Sequence, residues 1–171
     1  GPFIFERQAH IVDGHLDDAV AKGAKIVCGG KSETLGGGLY MRPTILINVN
    51  HDMQIMRDET FGPVMPVMKF RDEDEAVRLA NDTWYGLSAA VIGGNEEEAR
   101  RIAARIDAGL VSVQDTFLTF AGSGVLEWDS FRCSGMGGRG SGFLRYMRKQ
   151  GLVINTAAPA DFINEGIRAV K

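Results

Sequence analysis

The stretch from Val64 to Val113 constrains the fold more than any other part of the chain. Val64 to Phe70 is a run of β-branched and apolar residues. Asp72 and Glu75 follow in capping-box spacing, with acids in the first turn of a helix, where they favour the positive end of its dipole. Ala76, Val77 and Ala80 give that helix an apolar stripe. Ser88 to Ile92 reads as a second strand and Asn95 as the cap of a second helix, whose core face is Ala99, Ile102, Ala103 and Ile106. Gly109 ends that helix, and Leu110 to Val113 is a third strand. Strand, helix, strand, helix, strand requires crossover connections, which yield a parallel sheet with helices on both faces. The fold class is α/β.

The flanks are less regular. Phe5, Ala9, Val12, Leu16 and Ala19 recur at steps of three and four between Phe3 and Lys22, which predicts an amphipathic helix stopped by Gly23. Ala24 to Cys28 reads as a short strand, Gly29 to Gly38 as a loop, and Thr44 to Ile47 as another strand. After Gln114 the pattern gives way to aromatics and a glycine-rich run, Ser134 to Gly142. Leu152 to Asn155 is a last short strand without an evident partner, which suggests addition to another subunit's sheet. At 171 residues the chain is one domain or a piece of one. Residues 1–150 are expected to form the α/β body and 151–171 an oligomerisation arm.

Composition removes several classes of function. Apolar residues make up 44% and charged residues 24%, and no apolar run is long enough to span a bilayer, so the chain is neither a membrane span nor a disordered tail. A net charge of -3 gives no general attraction to nucleic acid or to an anionic membrane. The two cysteines, Cys28 and Cys133, lie far apart without CxxC spacing, which excludes a disulfide framework and argues against zinc. A reducing, cytoplasmic setting fits. The chain opens on Gly1-Pro2 without an initiator Met and is expected to be cut at its front.

Most candidate motifs have ordinary explanations. Gly135, Gly137 and Gly140 match the dinucleotide-binding spacing, but Glu127 to Arg132 ahead of them is no apolar strand, and no acid follows at the required distance. A tight chain turn accounts for them. Arg132, Arg139, Arg145, Arg148 and Lys149 read as a solvated or subunit-facing surface rather than a phosphate site. His10 and His15 lie roughly 140° apart around a helix and cannot clamp a metal. Cys28 is expected to pack as a small hydrophobe. Cys133 sits in a polar loop with no histidine nearby in sequence, so neither cysteine suits a nucleophile.

One cluster points to a ligand. In Arg57-Asp58-Glu59-Thr60-Phe61-Gly62-Pro63-Val64 a carboxylate and an aromatic stand two apart before a Gly-Pro turn. In extended chain they share one side, so Glu59 and Phe61 can address one molecule together. A carboxylate accepts two hydrogen bonds from a vicinal diol such as a ribose, and the ring packs a flat heterocycle.

With that cluster, the order and spacing of Glu59 to Val64, Phe70 to Val77, Leu79 to Ala89 and Ala108 to Val113 resemble the C-terminal half of the NAD(P)-dependent aldehyde dehydrogenase superfamily. The resemblance extends from Gly1-Pro2 through Gly23 to Gly30 to the last strand. It implies that Glu59 binds the nicotinamide ribose hydroxyls of NAD or NADP, that Phe61 packs by the nicotinamide, and that Leu87 lines the same pocket. Trp128 takes the place of a substrate-tunnel aromatic, Arg132 that of a lysine, and Gln114 that of an asparagine. The Ser-Gly-Met-Gly-Gly and Arg-Lys-Gln stretches resemble a branch associated with aromatic or hydrophobic aldehydes.

The family's chemistry uses a Cys thiolate that attacks the aldehyde, an oxyanion hole that holds the thiohemiacetal, hydride transfer to the nicotinamide, and a glutamate that activates water. The family's nucleophile stands farther upstream of the Glu-x-Phe-Gly-Pro motif than the 58 residues before Glu59 allow. No catalytic residue is therefore expected in this chain, and the isolated chain is expected to be inactive. The expected partners are an aldehyde and further copies of the chain, joined through sheet edges and the last strand. The alternative is a non-catalytic interaction module derived from the same family.

Overall fold

The structure is a computed structural model, and it describes residues 2–119, 128–135 and 150–154. Contacts divide the chain into two compact units, Gly1–Ala76 and Val77–Lys171.

The first unit opens with α1 (Glu6–Ala21), which buries Ala9, Val12, His15, Leu16 and Ala19. Phe5, counted in the predicted stripe, falls outside the helix: it is the extended residue ahead of it and is 61% exposed. The chain then forms β1 (Lys25–Cys28), β2 (Glu33–Leu35), β3 (Gly38–Tyr40) and β4 (Thr44–Ile47). A short 3-10 turn at Gln54–Met56 precedes β5 (Val64–Val67). The stretch expected to be a loop before β4 is a hairpin, with Glu33 opposite Tyr40 and Leu35 opposite Gly38. Its two turn residues, Gly36 and Gly37, have φ of 56° and 81°. Both positive values suit a two-residue hairpin turn that glycine adopts without strain.

The first sheet has the order β1-β4-β5, antiparallel between β1 and β4 and parallel between β4 and β5. Leu16, Ala19, Ala24, Leu46, Val49, Met53 and Ile55 make its core. Each large member contributes on the order of 1.5–3 kcal/mol by leaving water. Cys28 departs from expectation. It is exposed, at the end of an edge strand whose pairing shifts register between Ile26 and Cys28, so it is not packed as a core residue.

The helix α2 (Glu73–Asn81) begins as predicted, with the Glu75 N–H donating to Asp72 Oδ1 at 2.8 Å. The Glu75 carboxylate reaches back to the Arg71 N–H at 2.8 Å and to the Arg71 guanidinium. Of its predicted stripe only Val77 is buried; Ala80 is exposed.

In the second unit follow β6 (Tyr85–Gly86), β7 (Ser88–Val91), α3 (Glu96–Ala103), β8 (Leu110–Val113), β9 (Phe131–Arg132) and β10 (Gly151–Ile154). Asn95 caps α3 by accepting from the Glu98 N–H at 2.8 Å. The second sheet has the order β10-β8-β7 and is parallel throughout; β6 and β9 pair antiparallel beside it in sequence. All four residues of β8 are buried, as a central parallel strand requires. Val77, Ala99, Ala103, Ile106, Ala108, Val111 and Val113 form the core.

Two sequence expectations change here. The strands at Val64, Ser88 and Leu110 do not share one sheet: the first is hydrogen-bonded to β4, the others to each other. Periodicity identifies strands but does not say which neighbour satisfies their backbone groups. The last strand does not lack a partner either, since Gly151 to Ile154 pairs with Leu110 to Val113 of its own chain. Among the described residues no helix is long and apolar enough to cross a membrane.

Candidate functional site

The Glu59–Phe61 segment is carried by one side of α1. Gln8, Val12 and His15 are spaced four and three apart and therefore line one helix face. Gln8 Nε2 donates to the Thr60 carbonyl at 2.8 Å. His15 is only 6% exposed; its Nδ1 shares a hydrogen bond with Thr60 Oγ1 at 3.1 Å, and its Nε2 lies 4.0 Å from Asp58 Oδ2. Val12 is fully buried against Gly62, where an added Cβ would stand 2.8 Å from Val12 Cγ2. Glycine is thus what lets the chain pass the helix.

Both ends of the segment are also fixed. The Asp58 N–H donates to the Gln54 carbonyl, and the Thr44 N–H to the Pro63 carbonyl, each at 2.8 Å. Asp18, one turn beyond His15, accepts from the Gln54 N–H at 2.8 Å and from Lys22 Nζ at 2.7 Å. The Lys22 ammonium, followed by the Gln54 N–H, holds the Asp18 carboxyl below its ordinary value of 3.8.

Glu59 and Phe61 stay exposed on this framework, Phe61 at 75%. At Phe61 the backbone leaves the extended chain assumed from sequence. Phe61 has φ of 33°, in the left-handed region that an aromatic residue seldom enters. Their placement therefore follows from a held turn and not from strand alternation. An exposed carboxylate can accept hydrogen bonds from a vicinal diol, and an exposed ring can pack against a flat heterocycle.

Leu87 and Trp128 belong to the second unit. Leu87 is 48% exposed and lines a cavity of about 240 Å³ with Tyr85, Ala89, Ile106, Asp107 and Ala80. The lining comes from residues 80–108, so half-buried Trp128 is not part of it. The Gly86 N–H donates to Ser134 Oγ at 2.7 Å and the Cys133 N–H to the Trp84 carbonyl at 3.0 Å.

Arg132, expected on a solvated or subunit-facing surface, is engaged within its own chain. Its Nε donates to Asp107 Oδ2 at 2.7 Å, and its NH1 donates to the Asn81 carbonyl at 2.5 Å and to the Thr83 carbonyl. Asn81 Oδ1 accepts from the Asp107 N–H at 2.7 Å, and Asn81 Nδ2 donates to the Arg105 carbonyl at 2.9 Å. The guanidinium turns inward because it alone offers forked donors to three acceptors at once. Gln114 is likewise engaged: its amide pairs with both the N–H and the carbonyl of Gly93, at 3.1 and 3.0 Å.

The helix face that holds residues 58–62 had a signal in the spacing of Gln8, Val12 and His15; the Arg132 lattice had none. Of Gly135, Gly137 and Gly140, expected to form a tight chain turn, only Gly135 is among the described residues, with φ of 115°. Arg139, Arg145, Arg148 and Lys149 lie outside them. Cys28 and Cys133 are both exposed thiols. Among the described residues no three His, Cys, Asp or Glu side chains are grouped to hold a metal.

A mixed α/β chain with an exposed Glu-x-Phe-Gly-Pro turn defines the class, and residues 1–150 match the aldehyde dehydrogenase family. The chain belongs to that family. A Mycobacterium tuberculosis protein provisionally named as an NADP(+)-dependent succinate-semialdehyde dehydrogenase is 43% identical over 152 residues, which are 88% of this chain and 29% of that protein. Among solved structures, a provisionally assigned aldehyde dehydrogenase of Anabaena variabilis has 49% identity and a TM-score of 0.75, covering 94% of this chain and 35% of that one. A salicylaldehyde dehydrogenase of Pseudomonas putida G7, solved with salicylaldehyde, has 34% identity and a TM-score of 0.72, covering 88% and 28%. The chain spans 29% of the length of the curated succinate-semialdehyde dehydrogenase relatives.

Proposed function

We propose that this chain is the cofactor-contacting C-terminal part of an NAD(P)+-dependent aldehyde dehydrogenase that oxidises an aldehyde, of aromatic or hydrophobic type, to the carboxylic acid. The observation that carries the reading is the exposed Glu59 and Phe61 pair on a turn fastened from both sides. Bound NAD(P)+ supplies the hydride acceptor. Glu59 accepts hydrogen bonds from the ribose hydroxyls and so orients the attached ring; Phe61 packs beside it and limits its rotation. By the family resemblance Leu87 is a further cofactor-contacting residue and Trp128 a substrate-tunnel aromatic.

The nucleophilic Cys, the oxyanion donor and the water-activating Glu are read as belonging to a preceding segment, because neither Cys28 nor Cys133 stands where the motif spacing puts the thiolate. Residues 1–171 alone are expected to turn over no aldehyde. The Ser-Gly-Met-Gly-Gly and Arg-Lys-Gln stretches support the aromatic or hydrophobic aldehyde, and a salicylaldehyde dehydrogenase is among the similar structures. Assembly into a homo-oligomer through the edges of the second sheet is part of the same reading.

The test is Glu59→Gln in the full-length polypeptide. Hydride transfer with either NAD+ or NADP+ should fall by about 10-fold or more, with the unfolding midpoint nearly unchanged, since one charged acceptor of a ligand is lost. Unchanged turnover would remove Glu59 from the cofactor site.

A further inference from the structure

The Phe61 conformation needs support from its neighbours, because a left-handed non-glycine residue persists only where the surroundings over-determine it. That support converges on Thr60. Its carbonyl accepts from Gln8 and its hydroxyl is bonded to His15, so two points on one residue are anchored to α1. Two anchors fix the rotation of a residue as well as its position. Glu59 on one side and Phe61 on the other inherit their directions from it.

His15 is an unusual choice for this place. A buried imidazole costs free energy unless its nitrogens find partners, and an apolar side chain would fill the same space without that demand. Both ring nitrogens instead face the residues that flank Glu59, Nδ1 toward Thr60 and Nε2 toward Asp58. We propose that His15 is a positioning residue for the Glu59–Phe61 pair, acting through the Thr60 hydroxyl. The proposal rests on the reading of that pair as the cofactor contact.

Cofactor KM and aldehyde KM, measured separately in the full-length polypeptide with NAD+ and NADP+, test it. His15→Ala and Thr60→Val should each raise cofactor KM by about 3- to 10-fold, the range expected for losing one positioning hydrogen bond, and leave aldehyde KM within about twofold. The double variant should be no worse than the poorer single one, because both remove the same link. His15→Asn, whose amide can reach the position of Nδ1, should restore cofactor KM to within about twofold of wild type. A purely space-filling role would give no such rescue.

If cofactor KM is unchanged in His15→Ala and in Thr60→Val while Glu59→Gln raises it, the positioning role is wrong and the cofactor site stands. Equal movement of both KM values without rescue by Asn would also overturn it. No response to Glu59→Gln defeats the underlying cofactor reading instead. Should His15→Ala fail to fold, Thr60→Val and His15→Asn still decide the matter.

Discussion

Residues 58–63 and residues 81–87 each carry an exposed apolar side chain, Phe61 and Leu87, on irregular backbone, but they are held by opposite means. The first segment is held by a helix: Gln8, Val12 and His15 along one face of α1, with the last two buried. The second takes a side-chain cation from a strand about fifty residues later, Arg132, whose guanidinium collects Asp107 and two carbonyls, beside the β6–β9 pairing and the Ser134 hydroxyl. A helix face distributes the load over packing and several hydrogen bonds. A guanidinium concentrates it in one charged group.

The sharpest way to break that contrast is Arg132→Ala. It leaves Asp107 without its cation and two carbonyls without a donor, and should cost about 2 kcal/mol, below the value for a fully buried pair because Asp107 is partly exposed. Arg132→Lys should fall between, since an ammonium cannot span three acceptors. Denaturant unfolding of the full-length polypeptide measures both. An unmoved midpoint in Arg132→Ala would mean that the backbone pairing and the Ser134 hydroxyl carry residues 81–87 without the guanidinium.

Gly62→Ala probes the other region. The new Cβ meets Val12, which is fully buried and stiff about χ1, so about 1 kcal/mol should be lost to overpacking. Adding Val12→Ala opens room on the helix. If the helix face is what holds the turn, the double variant should lose less than the sum of the two single changes; strict additivity would show that the contact is unimportant.

The smallest effect is electrostatic and should appear only in acid. Because the folded state holds the Asp18 carboxyl below 3.8, the unfolded state takes up its proton first as pH falls. The contribution is complete above 3.8 and is lost as pH drops through the lowered value. Asp18→Asn should therefore reduce stability slightly at neutral pH and flatten the acid limb of the stability profile. An identical acid limb in both proteins would leave Asp18 without a role in tying the 3-10 turn to α1.

Much of the local structure was legible. The α1 stripe from Ala9 to Ala19, the Asp72 and Asn95 caps, and the strands at Thr44 and Leu110 follow from periodicity and capping chemistry, which act between residues a few positions apart. The candidate residues Glu59 and Phe61 were also legible, because the motif that carries them is contiguous. Misreadings arose where one short run allows two outcomes. Glycines 36 and 37 permit a loop or a tight hairpin, and only the pairing of Glu33 with Tyr40 decides.

By itself the sequence determined the α/β class, the family and the order of the elements, since each depends on patterns within a few tens of residues. Tertiary structure alone decided that Val64–Val67 joins Thr44–Ile47, that Gly151–Ile154 joins Leu110–Val113, and that Arg132 folds inward to Asp107. It also placed His15 beneath the residues flanking Glu59. The physical reason is common to all four. A backbone N–H, a buried imidazole or a guanidinium must find a partner, but its identity depends on which groups packing brings within about 3 Å, and that information is not local to any stretch of chain.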